Sequence, residues 1–135
     1  MTSQIMYEGD LRTVATHLQS STVLETDAPT DNQGKGERFS PTDLVATALG
    51  SCMMTVMGIK ARDMNVDLKG TSIEITKVMA ANPRRISAIK ALVQFPKNIE
   101  VDDKQKSILE KTALTCPVFQ SLHPDLDQDI QFDWG

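Results

Sequence analysis

Aromatic residues are nearly missing from this chain. Four Phe, one Tyr and one Trp make up 4% of its 135 residues. A core built without rings must be filled by aliphatic side chains and by the seven methionines, whose flexible thioethers fit irregular gaps. Excess positive charge is missing too. The net charge is −4, and basic residues are scattered, adjacent only at Arg84-Arg85. Nucleic acid needs a basic face, so it is not an expected partner. There is no Gly-rich phosphate loop and no zinc-type Cys/His spacing, so no cofactor and no metal is expected. The opening segment "MTSQIMYEGDLRT" lacks a basic-then-apolar signal pattern, which makes the cytosol the expected compartment. A membrane-spanning run is lacking as well. The apolar stretch from Leu44 to Ile59 falls short of the roughly 20 residues that a span requires. It contains Thr47, Gly50, Ser51 and Thr55, and is closed by Asp43 on one side and Lys60, Arg62 and Asp63 on the other.

What is present reads as one α+β domain covering residues 1–135. "QIMYE", "RTVATHL" and "STVLET" alternate as three short strands, with turns at Gly9-Asp10 and Gln19-Ser20, forming an antiparallel meander. The polar, Gly-rich stretch 26–39 is a loop. Ser40 then serves as N-cap, Pro41 as N1 and Asp43 as the N3 carboxylate of a long helix running to about Asp63. Glycines inside a helix mark close packing, so Gly50 and Gly58 are expected against another backbone. Period-2 alternation at Ser72–Val78 gives a strand, "NPRR" a turn, and "ISAIKALVQFP" another strand. In "EVDDKQKSILEKTAL", Val101, Ile108, Leu109 and Leu114 fall near one face of an amphipathic helix. "TCPVFQSL" starts a further helix with Pro117 at N1. "DIQFDWG" closes as a strand with Ile130, Phe132 and Trp134 alternating. His17 and His123 read as structural or exposed. Met53, Met54 and Met57 read as core.

Two cysteines carry the remaining chemistry. Cys52 sits inside the apolar helix, where burial raises a thiol pKa. Cys116 precedes Pro117 at a helix start, where unpaired N–H groups favour a thiolate. By local sequence Cys116 is the more activated of the two. Both also fit as inert core residues, since free cysteines are among the most buried side chains.

"SPTDLVATALGSC", an apolar helix behind it, and "CPVFQSL" later in the chain together resemble the OsmC/Ohr family of thiol-dependent peroxidases. The likeness covers nearly the whole chain, including the order of its elements. The resemblance implies an intertwined α+β homodimer with the two long helices packed centrally and sites drawing on both subunits. It implies that Cys52 is peroxidatic and Cys116 resolving, with organic or lipid hydroperoxides as substrates and a dithiol, typically a lipoyl group on a protein, as reductant. This reverses the ranking drawn from helix position. A thiolate in an apolar pocket then needs one guanidinium, for which Arg12 and Arg38 are the candidates. Where the best-characterised members carry a glutamate that holds this arginine, the chain has Thr42. The acid is the adjacent Asp43, which is either the orienting carboxylate or only a helix cap. The alternative function is a non-catalytic OsmC-like dimer binding a small apolar or thiol-reactive ligand near Cys52.

Overall fold

The computed structural model describes all 135 residues. The chain forms two compact units, residues 1–45 and 46–135. In the first, strands β1 (Ser3–Gly9), β2 (Arg12–His17) and β3 (Val23–Asp27) make an antiparallel meander in the order β1-β2-β3. Gly9, Asp10 and Leu11 all have positive φ and close the first turn, which begins β2 at Arg12. The expected loop contains one 3-10 turn at Thr30–Asn32 and folds back onto β3, with Asp27 N–H donating to Phe39 O and Gly36 N–H to Ala28 O.

Helix α1 (Pro41–Asp63) starts in the first unit and supplies the spine of the second. Its start is a reciprocal cap. The Asp43 N–H donates to Ser40 Oγ at 3.1 Å, and the Ser40 N–H donates to Asp43 Oδ2 at 2.9 Å. By length and composition α1 could cross a bilayer. Its packing is that of a core helix, because Ala46, Leu49, Gly50, Met53, Met57 and Ala61 form one buried face at helical spacing.

That face meets a second sheet ordered β4-β5-β6, made of β4 (Ser72–Ala80), β5 (Arg85–Gln94) and β6 (Asp127–Asp133). Ile89, Ala91 and Val93 alternate inward along β5. Helix α2 (Asp103–Ala113) adds Leu109 and Ala113. Its start carries a capping box in which Asp102 accepts from the Gln105 N–H and the Gln105 side chain accepts from the Asp102 N–H. Leu114, expected on the buried face, is instead the exposed C-cap, and Ala113 takes the inward place.

After helix α3 (Pro117–Ser121), β6 returns parallel to β5, a crossover that the intervening helices make possible. Trp134, just past the strand, stacks on Phe95 with centroids 3.5 Å apart and donates its indole N–H to Glu110. Gly50 packs on the side chains of Ile75 and Ile73 rather than on a backbone, and a Cβ there would lie 3.0 Å from Ile75 Cδ1. A Cβ at Gly58 would meet nothing within 4 Å, so the second expected close approach is not made within this chain.

Candidate active site

Both cysteines belong to residues 46–135, and both are free thiols. Cys52 is half-buried on α1, beside the core face formed by Leu49, Met53 and Met57. Cys116 is fully buried, with 0% of its surface exposed. It is the N-cap of α3, and its Sγ accepts the Phe119 N–H at 3.3 Å. The Cys52 thiol lies close enough to perturb it. Elements far apart in the chain thus bring the two thiols near each other within one chain.

Burial pushes the Cys116 thiol up from its ordinary value. The Phe119 N–H opposes that shift, and the neighbouring Cys52 thiol adds to it. The expectation that a helix start activates Cys116 is therefore corrected. The cap is real, but removal of the sulfur from water outweighs it. A buried, protonated Cys116 beside a partly open Cys52 gives the two thiols different access to a reactant.

Met53 and Met57 are fully buried core residues, as expected. Met54 packs against the core and also lines an open, mostly apolar groove of about 310 Å³ with Thr47, Gly50, Ser51, Thr55, Ile73 and Ile75. His17 bonds Ser20 Oγ through Nδ1 at the β2–β3 turn. His123 accepts the Asp125 N–H in an exposed turn. Neither belongs to the thiol pair.

The arginine candidates lie in residues 1–45. Arg12 donates through Nε and Nη2 to the two carboxylate oxygens of Asp27, each at 2.8 Å. The pairing follows from strand register, because Arg12 and Asp27 are direct partners across β2 and β3 and so share a face. Asp27 is only 1% exposed and accepts a third bond from the Glu37 N–H at 3.2 Å. The hydrogen-bonded Arg12 guanidinium holds the Asp27 carboxyl below the usual carboxylate range, against the upward pull of burial. Asp27 in turn pushes Arg12 up from its ordinary value.

Glu25 makes longer contacts, 3.5 Å to Arg12 Nη1 and 3.7 Å to Arg38 Nε. Arg38 also donates to Glu37 O, its neighbour in sequence. Asp43 is engaged in the Ser40 cap described above. The carboxylate gripping Arg12 is thus one that the sequence reading left in a loop. Its signal was available. A hairpin turning between Gln19 and Ser20 puts residue 12 opposite residue 27.

The comparisons agree with this fold. The family model for OsmC-like protein matches residues 34–130. A solved structure from Psychrobacter arcticus, described provisionally as an osmotic stress induced and detoxification response protein, is 58% identical. The match covers 98% of this chain and 95% of that one, with a TM-score of 0.93. Two more distant structures share the fold. One is an organic hydroperoxide resistance protein OsmC from Legionella pneumophila, 14% identical over 98% and 97% of the chains, with a TM-score of 0.76. The other is the organic hydroperoxide resistance protein OhrB of Bacillus subtilis, 15% identical over 98% of each chain, with a TM-score of 0.66. No match was found among curated proteins. With the family pattern extending over most of the chain and both cysteines inside it, the chain belongs to the OsmC-like family.

Proposed function

We propose that this protein is a dithiol peroxidase acting on organic and lipid hydroperoxides, with Cys52 attacking and Cys116 resolving. The observation that supports it most is the proximity of one half-buried and one buried thiol in the same chain. The Cys52 thiolate attacks the terminal peroxide oxygen and the O–O bond breaks. The alkoxide takes a proton and leaves as alcohol, while Cys52 becomes a sulfenic acid. Cys116 then condenses with that sulfenic acid, releasing water and forming the disulfide. An external dithiol, such as a lipoyl group on a protein, reduces the disulfide and is itself oxidised to a cyclic disulfide. The thiolate at Cys52 needs a cation, for which Arg12 and Arg38 remain the candidates. Apolar surroundings on α1 favour an organic hydroperoxide over hydrogen peroxide and shield the sulfenic acid.

The working form in this reading is a cytosolic homodimer. Ile5, Met6 and Tyr7 are consecutive in β1 and all exposed, so both faces of the first sheet present apolar surface. On α1, Ile59 is 58% exposed beside Gly58, whose missing side chain leaves room for an approaching chain. A second copy covers this surface in an obligate interface of roughly 2,000 Å² or more.

Stopped-flow oxidation of the reduced protein by cumene hydroperoxide and by hydrogen peroxide, with thiol counting, tests the chemistry. One equivalent of the organic peroxide should consume both thiols and yield an intramolecular Cys52–Cys116 disulfide. Cys52→Ser should abolish the reaction. Cys116→Ser should keep the first oxidation and let Cys52 proceed to sulfinic acid. A wild-type rate no faster than that of a free thiol would favour the ligand-binding alternative.

A further inference from the structure

We propose that Gln128 is the positioning residue for Cys116, acting through Phe119; this rests on the reading above of Cys116 as the resolving thiol. All three residues lie in residues 46–135. Gln128 is on β6, where it pairs with the fully buried Ile89 of β5, so the sheet fixes its backbone. Its side-chain Nε2 donates to Phe119 O at 3.2 Å. The N–H of the same Phe119 donates to Cys116 Sγ at 3.3 Å. Phe119 is thus held at its carbonyl by the sheet and holds the sulfur with its amide.

Two observations give this tether weight. Helix α3 is five residues long, and none of them is fully buried. A helix that short is not stable by itself, so its place depends on what holds it from outside. Gln120 also ties it, donating to Leu114 O at 3.1 Å, but that bond is exposed and water can replace it. Secondly, Gln128 Oε1 is buried and has no hydrogen-bond partner. Such an orphaned oxygen lowers stability. The amide cannot turn over to relieve it, because Oε1 would then face Phe119 O, acceptor against acceptor. Packing alone would favour an apolar side chain here, beside Ile89 and two places from Ile130 on the same face. The step that needs a fixed Cys116 is resolution. Its sulfur attacks the sulfenic sulfur of Cys52, the S–S bond forms, the S–O bond breaks, and the hydroxide leaves as water with the Cys116 proton. Disulfide geometry is narrow, so a sulfur already in place reacts faster than one on a loose turn. Speed at this step decides between the disulfide and attack of a second peroxide on Cys52.

The test is Gln128→Met, which keeps the length of the side chain and removes both polar atoms. In stopped flow with cumene hydroperoxide, the first oxidation of Cys52 should keep its wild-type rate. Disulfide formation should slow about tenfold or more, since a loosened Cys116 loses its orientation. Mass spectrometry should find more Cys52 sulfinic acid. The thermal midpoint should stay unchanged or rise, because the orphaned oxygen is gone; a residue with only a structural role would lose stability instead. Gln120→Met should slow resolution less. A second measurement does not depend on peroxide chemistry. In a Cys52→Ser background, iodoacetamide should label Cys116 faster with Gln128→Met than with Gln128. Wild-type resolution in Gln128→Met overturns the proposal, and so does equal labelling of Cys116. If the reduced wild type ignores cumene hydroperoxide while the labelling difference persists, the peroxidase reading falls and the tether on Cys116 stands. If Gln128→Met does not fold, Gln128→Asn decides. Its amide is one methylene short of Phe119 O, and wild-type resolution there overturns the proposal.

Discussion

Every buried apolar side chain in this molecule lies in residues 46–135, and the buried polar ones, Thr26, Asp27 and Ser40, lie in residues 1–45. The second unit is a conventional dry core in which Leu49, Met53, Met57, Ile89, Val93 and Leu109 are fully buried. The first unit buries a charge and exposes its hydrophobes. Its sheet is ordered by hairpin register and by the Arg12–Asp27 pair, neither of which removes much apolar surface from water. The difference separates two jobs. One unit supplies the packing that brings two distant cysteines together. The other holds a buried carboxylate against an arginine, on a sheet that leaves Ile5, Met6 and Tyr7 exposed.

Substitution of core and sheet hydrophobes breaks this comparison most sharply. Met53→Ala leaves a cavity in the dry core and should lower stability by about 2–5 kcal/mol. Ile5→Ala removes a side chain that is 63% exposed in the single chain. In the proposed dimer it should change subunit affinity instead, visible as more monomer in sedimentation at low micromolar concentration. If Met53→Ala and Ile5→Ala shift the thermal midpoint equally at every protein concentration, the division of labour is wrong.

Acid sharpens the contrast. Asp27 is held low by Arg12, with Lys35 adding a further pull, Glu25 beside the arginine and the Glu37 N–H on the carboxylate. A carboxyl whose folded pKa lies below its unfolded value near 3.8 gives its full stabilisation above that value. The contribution is lost as pH falls through the lower folded pKa. The first unit should therefore respond to acid before the second. The chain has one Tyr, Tyr7 in the first unit, and one Trp, Trp134 in the second, so each reports on its own unit. Tyr7 absorbance should change at higher pH than Trp134 fluorescence. Coincident transitions would show that the units unfold as one.

The smallest effect belongs to the α1 cap. Ser40→Ala should cost roughly 0.5–2 kcal/mol of stability. Asp43→Asn should cost less, since its backbone N–H still finds Ser40 Oγ. Neither should alter the peroxide rate. A rate loss in Asp43→Asn without loss of stability would identify Asp43 as the orienting acid rather than only a cap.

The order of elements, the start of α1 at Ser40 and Pro41, and the α3 start at Pro117 were all readable from the sequence. These features depend on caps and periodicities that act within a few residues. The same is true of the alternation in β4. The two cysteines could likewise be picked out by their motifs. Their proximity could not, because it depends on how α1 and the start of α3 pack around one core. Tertiary structure also decided the state of Cys116, where burial overrides a cap that local sequence had correctly located. It turned β6 parallel to β5 and moved the inward position on α2 from Leu114 to Ala113. Above all it chose the partner of Arg12. An acid next to the helix start is the obvious candidate when neighbours along the chain are all that can be seen. Strand register instead brings in Asp27 from across a hairpin, and a folded-back loop seals it from water, because pairing and burial are properties of the chain in space.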